Sequence, residues 1–138
     1  MFDEKQKSVL IIEDDKNIGK LMKRILERDK YKVTLSETGE EAIDFLKKDY
    51  NIDMIIFDLH LPKISGYDLF LAIKKQRPET KILITSGMLD DNELERLLLD
   101  GKINFLQKPY DNNTFLETVR KYINMPQNYS DDNFTLER

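Results

Sequence analysis

The chain has 138 residues, 40% of them hydrophobic and 35% charged, which is typical of a single soluble domain with one core. A net charge of −4 without a basic block argues against direct nucleic-acid binding, and the lack of cysteine excludes disulfides and thiolate chemistry. No apolar run approaches the ~20 residues that a membrane span requires, so we expect a cytoplasmic protein with no membrane insertion.

Strand and helix patterns alternate in the first part of the chain. Residues 8–13 form an apolar run that predicts a buried strand, and residues 16–29 carry an apolar stripe at helical spacing that we expect to face the core. The stripe comprises Ile18, Leu21, Met22, Ile25 and Leu26. Residues 32–37 predict a second strand. Thr38, with Glu41 three residues later, predicts the start of a second helix. The inward-facing residues of that helix are Ala42, Phe45 and Leu46.

The same alternation continues to residue 123. Residues 54–58 predict a third strand, and Ser65 is placed to cap a third helix that ends before Pro78. The residues that this helix is expected to bury are Leu69, Ala72 and Ile73. The remaining elements are a strand at 81–87, a helix at 90–101 closed by Gly101, a strand at 104–108 and a helix at 112–123.

Five strands that alternate with five helices over short connections predict a parallel sheet covered by helices on both faces. The expected fold class is α/β, a flavodoxin-like doubly wound five-stranded sheet with strand order 2-1-3-4-5. We assign residues 8–125 to this domain, residues 1–7 to an N-terminal extension and residues 126–138, which have little apolar content, to a polar tail or linker.

Polar side chains stand where four of the predicted strands end. They are Glu13 and Asp14 at the end of the first strand, Asp58 at the end of the third, Thr85 and Ser86 in the fourth, and Lys108 in the fifth. The carboxyl ends of parallel strands meet at the edge where this fold class binds ligands. Any one of these residues alone is better explained as a solvated loop residue, a turn cap or a plain strand residue. Their coincidence at one edge predicts a site.

Three carboxylates at one site need positive charge among them, because like charges destabilise one another. Lys108 supplies one cation. With oxygen ligands only and no cysteine, a hard divalent ion such as Mg²⁺ best meets the remaining deficit. The single histidine, His60, does not indicate zinc.

Taken in order, Glu13-Asp14, Asp58-x-x-x-Pro62-x-x-x-Gly66, Thr85-Ser86 and Lys108-Pro109 closely resemble the receiver domain of two-component response regulators. The resemblance extends over about residues 8–125. It implies that Asp58 is a carboxylate nucleophile that takes a phosphoryl group from a phosphohistidine. The implied donor is a histidine kinase or a histidine phosphotransfer domain. The protein would then be a signalling phosphoacceptor, not an enzyme, although it promotes its own phosphorylation and dephosphorylation.

The resemblance also implies a ligand set for magnesium. Asp14 and Asp58 would bind the ion directly. Glu13 would act through water, and His60 would act through its backbone carbonyl, a role that any side chain at that position allows. The metal would screen the repulsion between the nucleophile and the phosphoryl oxygens.

The remaining roles concern the phosphoryl group and a switch. Lys108 would pair with one phosphoryl oxygen, Thr85 would donate a hydrogen bond to another, and the small Ser86 would leave room for the group. Phosphorylation would draw Thr85 inward, with Phe105 turning inward behind it. Many family members carry tyrosine at this position, so its phenolic hydrogen bond is unavailable here. The face of the fourth helix, fifth strand and fifth helix (residues 90–100 and 114–123) would then be read by an output domain or a second copy of the chain.

Three other functions fit the pattern less well. A haloacid-dehalogenase-type phosphatase needs a second acid two residues after Asp58, where the chain has His60. A flavin-binding module needs a loop rich in Ser, Thr and Gly after the first strand, where residues 13–17 read EDDKN. A degenerate receiver that acts by protein contact alone would not need every chemical position filled.

Overall fold

The structure is a computed structural model that describes residues 6–48, 51–87, 91–100 and 103–126. The strands are β1 (Ser8–Ile12), β2 (Lys32–Ser36), β3 (Met54–Asp58), β4 (Lys81–Ser86) and β5 (Asn104–Gln107). The helices are α1 (Lys16–Arg28), α2 (Gly39–Leu46), α3 (Gly66–Gln76), α4 (Asp91–Asp100) and α5 (Asn112–Ile123). Within α4, the side chains described are those of Asn92, Glu95, Arg96, Leu97 and Leu99.

All strand pairs are parallel, and the sheet has the order β2-β1-β3-β4-β5. The predicted doubly wound α/β fold with five strands and five helices is therefore confirmed. Four strands end one residue earlier than predicted, at Ile12, Ser36, Ser86 and Gln107. The ladder nevertheless continues past β1, since the N–H of Glu13 donates to the carbonyl of Ser36 at 2.9 Å.

Both faces of the sheet are buried, because successive strand residues point to opposite sides. Leu10 and Ile55 pack on one side with residues of α2, α3 and α4. Val9 and Ile56 pack on the other side with residues of α1 and α5. This continuous burial explains why β1, β3 and β4 appear in the sequence as apolar runs rather than as alternating patterns.

Side-chain caps start four of the helices. Thr38 and Ser65 cap α2 and α3 as predicted, and each accepts a backbone N–H at 3.1 Å. Asp15 and Asp111 cap α1 and α5 in the same way. The predicted closure of α4 by Gly101 lies outside the described residues.

Only part of the apolar stripe of α1 is buried. Met22 is buried, whereas Ile18 and Leu21 are 42% and 44% exposed, so the expectation that the whole stripe faces the core is wrong for these two. The helix approaches β2 through Gly19 instead. A Cβ at Gly19 would lie 2.9 Å from a methyl carbon of Leu35, which shows how closely the two elements pack. The close approach at Gly19 leaves Ile18 and Leu21 on the flank of the helix.

The inward faces of α2 and α3 also differ in detail from the expectation. Ala42 and Leu46 are buried in α2, but Phe45 is only half-buried. In α3, Ala72 is half-buried and Phe70 is fully buried. A helix packed between a sheet and a neighbouring helix buries more than one stripe, which helical periodicity alone does not predict.

Candidate functional site

Asp58 ends β3 between a cation and a backbone donor. Its Oδ2 forms a direct ion pair with Lys108 Nζ. Its Oδ1 accepts the N–H of His60 at 2.8 Å. The side chains of Asp58 and Lys108 are 15% and 31% exposed, so the pair is partly shielded from solvent. The third and fifth strand ends therefore meet, although 50 residues separate them in the chain.

The β4 strand joins the two loops that carry this ion pair. Thr85 is the register neighbour of Asp58, and its carbonyl accepts the N–H of Leu59 at 2.8 Å. The carbonyl of Ser86 accepts the N–H of Lys108, also at 2.8 Å. Both β4 residues are almost completely buried. Their backbone hydrogen bonds fix the spacing between Asp58 and Lys108.

The acidic end of β1 supplies the two remaining carboxylates. Glu13 is 6% exposed, and Asp14 is exposed beside it. Burial, together with a hydrogen bond to the Asp14 side chain, raises the pKa of Glu13 from 4.5 to about 7. The charge of Lys108 and the backbone N–H of Asp15 oppose this rise. Burial is the main cause, so the raised pKa shows that the Glu13 carboxylate is poorly solvated where it lies.

Lys108 lies close to the carboxylates of Asp58 and Glu13. Burial alone would lower its pKa, but the hydrogen bond and the charge of Asp58, with the charge of Glu13, raise the pKa above its ordinary value of 10.5. Lys108 therefore keeps its charge at neutral pH. The peptide bond that follows it, Lys108–Pro109, is cis.

The acidic residues have the chemistry that a magnesium ion prefers, although their side chains do not form a complete coordination site. Within the described ranges, no group of three or more Asp, Glu or His side chains is arranged to hold a metal ion. The donors at the site are all oxygen atoms, and the Glu13 carboxyl is hydrogen-bonded to that of Asp14. Mg²⁺ keeps several of its waters and is usually bound through one or two carboxylates. The residues present therefore fit a partly hydrated magnesium ion.

The residues assigned to the switch are buried. Phe105 is 6% exposed on β5 and packs in the same core cluster as Leu97 of α4. Thr85 is 2% exposed. The ring of Phe105 therefore already lies inside the core in the conformation that the structure describes.

Two arginines on the predicted partner face make contacts inside the domain. Arg96 of α4 lies over the ring of Tyr67 in α3, with its Cζ 4.1 Å from the ring centroid. Arg120 of α5 binds Asp29 at the end of α1 through two hydrogen bonds of 2.8 and 2.5 Å. Leu99 is 78% exposed on the same face. Residue 90, which the sequence places on this face, lies outside the described ranges.

Tyr110 borders the site, although the sequence analysis did not single it out. Its ring stacks on Phe115, with centroids 5.8 Å apart and an angle of 19° between the planes. Burial raises its pKa, and the nearby charges of Glu13 and Asp58 act in the same direction, against that of Lys108. The available signal was an aromatic residue directly after the Lys-Pro motif.

A cavity of about 700 Å³ lies at the amino ends of the strands, at the opposite end of the sheet from the acidic site. Asp53 in its wall accepts the N–H of Ser8 at 2.8 Å, and Lys81 donates to the carbonyl of Ile123 at 2.7 Å. The first contact joins the amino ends of β1 and β3, and the second joins the amino end of β4 to the end of α5. The cavity is therefore separate from the acidic site.

A sequence model of the response regulator receiver domain matches residues 9–120. The chain belongs to this family. The receiver domain is 33% identical over 115 residues to the cell cycle response regulator CtrA of Brucella ovis, an alignment that covers 83% of this chain and 49% of CtrA. The chain thus spans about half the length of the curated relatives it matches.

Solved structures of receiver domains have the same fold. A CheY-like receiver domain protein from Methanospirillum hungatei superposes with a TM-score of 0.80 at 26% identity, covering 86% of this chain and 94% of that chain. The non-phosphorylated HemR receiver domain from Leptospira biflexa gives 0.79 at 30% identity, covering 88% and 97%. None of the helices in the described ranges has the length and hydropathy needed to cross a bilayer.

Proposed function

We propose that this receiver domain is the phosphoacceptor of a two-component phosphorelay and that Asp58 receives the phosphoryl group. The observation that carries the proposal is the setting of Asp58, a partly exposed carboxylate whose oxygens are oriented by Lys108 and by the N–H of His60. A nucleophile held in one orientation loses less freedom on reaching the transition state. The phosphodonor is a histidine kinase or a histidine phosphotransfer domain.

In the transfer step, an oxygen of Asp58 attacks the phosphorus atom of the donor's phosphohistidine. A P–O bond forms as the P–N bond breaks, and the bonding electron pair leaves with the imidazole nitrogen. Lys108, now paired with Asp58, pairs with a phosphoryl oxygen of the product. Thr85 donates a hydrogen bond to a second oxygen, and Ser86 leaves room for the group.

The acidic edge serves to bind magnesium. Asp14, Asp58 and the backbone carbonyl of His60 hold the ion, and Glu13 acts through a water molecule. When bound, the ion supplies the positive charge that lets one anion approach another. The Glu13 carboxyl lies near the charge of Lys108 and is hydrogen-bonded to the Asp14 side chain, which supports this assignment.

The phosphoryl group then changes the face formed by α4, β5 and α5. Its oxygens accept a hydrogen bond from Thr85 and pull that side chain inward. Phe105 repacks behind Thr85, and this repacking transmits the change to α4. Because Phe105 starts from a buried position, the change is a repacking within the core rather than the entry of an exposed ring. An output domain or a second copy of the chain reads the altered face.

The proposal is tested by incubating the chain with phosphoramidate or acetyl phosphate and measuring its intact mass. We expect one added phosphoryl group that requires Mg²⁺ and is lost in acid. Asp58→Asn should abolish the addition, and Lys108→Ala and Thr85→Ala should slow it. The matched control is Asp44→Asn, which changes an exposed carboxylate whose only described ion pair is with Lys47. If Asp58→Asn is labelled as fully as the parent chain, the assignment is wrong.

A further inference from the structure

The turn that carries Lys108 is held on both sides. Before the turn, the N–H of Lys108 donates to the carbonyl of Ser86 at 2.8 Å. After the turn, the ring of Tyr110 stacks on Phe115 of α5. Phe115 is 1% exposed, so the stack anchors the end of the turn to the core. Only Pro109 lies between the two anchored residues.

Tyr110 also lies close enough to the acidic cluster for the charges of Glu13 and Asp58 to act on it. Its ring packs against the core cluster between the sheet and α1 and α5. The charges of Lys108, Glu13 and Asp58 act on its phenol. These charge interactions are stronger than in water, because the site is partly shielded from solvent. Tyr110 therefore connects the core beneath α5 to the end of the sheet where Lys108 meets Asp58.

We propose that Tyr110 is a positioning residue for phosphoryl transfer, with its ring, held on Phe115, fixing the turn that keeps the Lys108 ammonium against Asp58. The ring carries this role rather than the hydroxyl, because the ring makes the contact with Phe115. A lysine side chain is long and flexible, so its charged end keeps one place against Asp58 only where the backbone that carries it is held. The inference rests on the proposed function, since it concerns the rate at which Asp58 is phosphorylated.

The test is a double-mutant cycle on that rate. Phosphoramidate is the donor, because so small a molecule needs no docking surface on the receiver, and rates are measured at saturating Mg²⁺. The variants are Tyr110→Leu, Tyr110→Phe, Lys108→Ala and the combination of Tyr110→Leu with Lys108→Ala. The matched control is Tyr122→Leu, which removes a buried ring from the same core cluster at the other end of α5. Tyr110→Met replaces Tyr110→Leu if the latter does not fold.

We expect Tyr110→Leu to slow phosphorylation about tenfold, which is less than the ~100-fold that a misplacement of about 1 Å can cost. Tyr110→Phe and Tyr122→Leu should retain the wild-type rate. In the Lys108→Ala background, Tyr110→Leu should have no further effect, because the group it positions is gone. A general loss of stability would not produce this pattern.

Several results would overturn the inference. One is an unchanged rate in Tyr110→Leu, and another is a slow rate in Tyr110→Phe. A tenfold loss that persists in the Lys108→Ala background, or that Tyr122→Leu reproduces, is equally contrary. These outcomes leave the proposed function intact, because they require a wild-type chain that is labelled. A wild-type chain that takes no phosphoryl group overturns the proposed function itself, and the inference with it.

Discussion

Gly66 begins α3 against the residue that follows Asp58. A Cβ added at Gly66 would lie 2.6 Å from the carbonyl oxygen of Leu59 and would also collide with its Cδ1. The Leu59 backbone cannot easily move aside, because its N–H donates to the carbonyl of Thr85. The packing against Leu59 therefore leaves no room for a side chain at this position of the family motif.

We expect Gly66→Ala to lower the free energy of unfolding by about 1–3 kcal/mol, the usual cost of forcing atoms into a packed region. Urea denaturation measures this loss. The control is Gly87→Ala, whose added Cβ would lie 3.6 Å from the Cβ of Lys108, an ordinary contact. Its effect should stay within about 0.5 kcal/mol. Equal losses in the two variants would show that Gly66 is not sterically constrained.

Asp29 and Arg120 connect the end of α1 to the last turn of α5. The pair is bidentate and partly exposed, with 25% of the Asp29 side chain and 49% of the Arg120 side chain accessible. The hydrogen bond from Arg120 holds the pKa of Asp29 below its ordinary value of 3.8. The folded state therefore binds this proton less readily than the unfolded state does.

The sign of the pH dependence follows from that lowered pKa. The pair contributes stability above the unfolded pKa near 3.8, and the contribution is lost as the pH falls through the lower folded value. In urea titrations from neutral pH downwards, the wild type should be more stable than Asp29→Asn, and the difference should vanish in acid. Asp44→Asn should show no such difference, because its ion pair with Lys47 is well exposed. A gap that persists or widens in acid would contradict this account of Asp29.

The order of elements was predictable because hydrophobic periodicity is local. The β3 and α5 boundaries in the structure match the sequence prediction residue for residue. The orientation of α1 was not predictable, because the exposure of Ile18 and Leu21 depends on how Gly19 meets β2. Helical spacing identifies an apolar stripe but not which part of it the sheet covers.

At the scale of the whole molecule, strand order brings the candidate site together. The sequence identified Asp58, Lys108 and Glu13 because each follows or ends an apolar run, and the topology rule places such positions at one edge. Tyr110 escaped detection because its role depends on a stack with Phe115 in the folded protein. The burial of Asn104, whose Oδ1 has no hydrogen-bond partner among the described residues, also depends on packing in the folded protein and could not be predicted.

The claim that the fold gathers these residues so that Asp58 can accept a phosphoryl group is tested most directly by locating that group. The labelled wild-type chain is reduced with borohydride, which converts an aspartyl phosphate to homoserine, and its proteolytic fragments are sequenced by mass spectrometry. The account predicts homoserine at position 58 and at no other position. Homoserine at Asp14, or a phosphoryl group retained on His60, would contradict it.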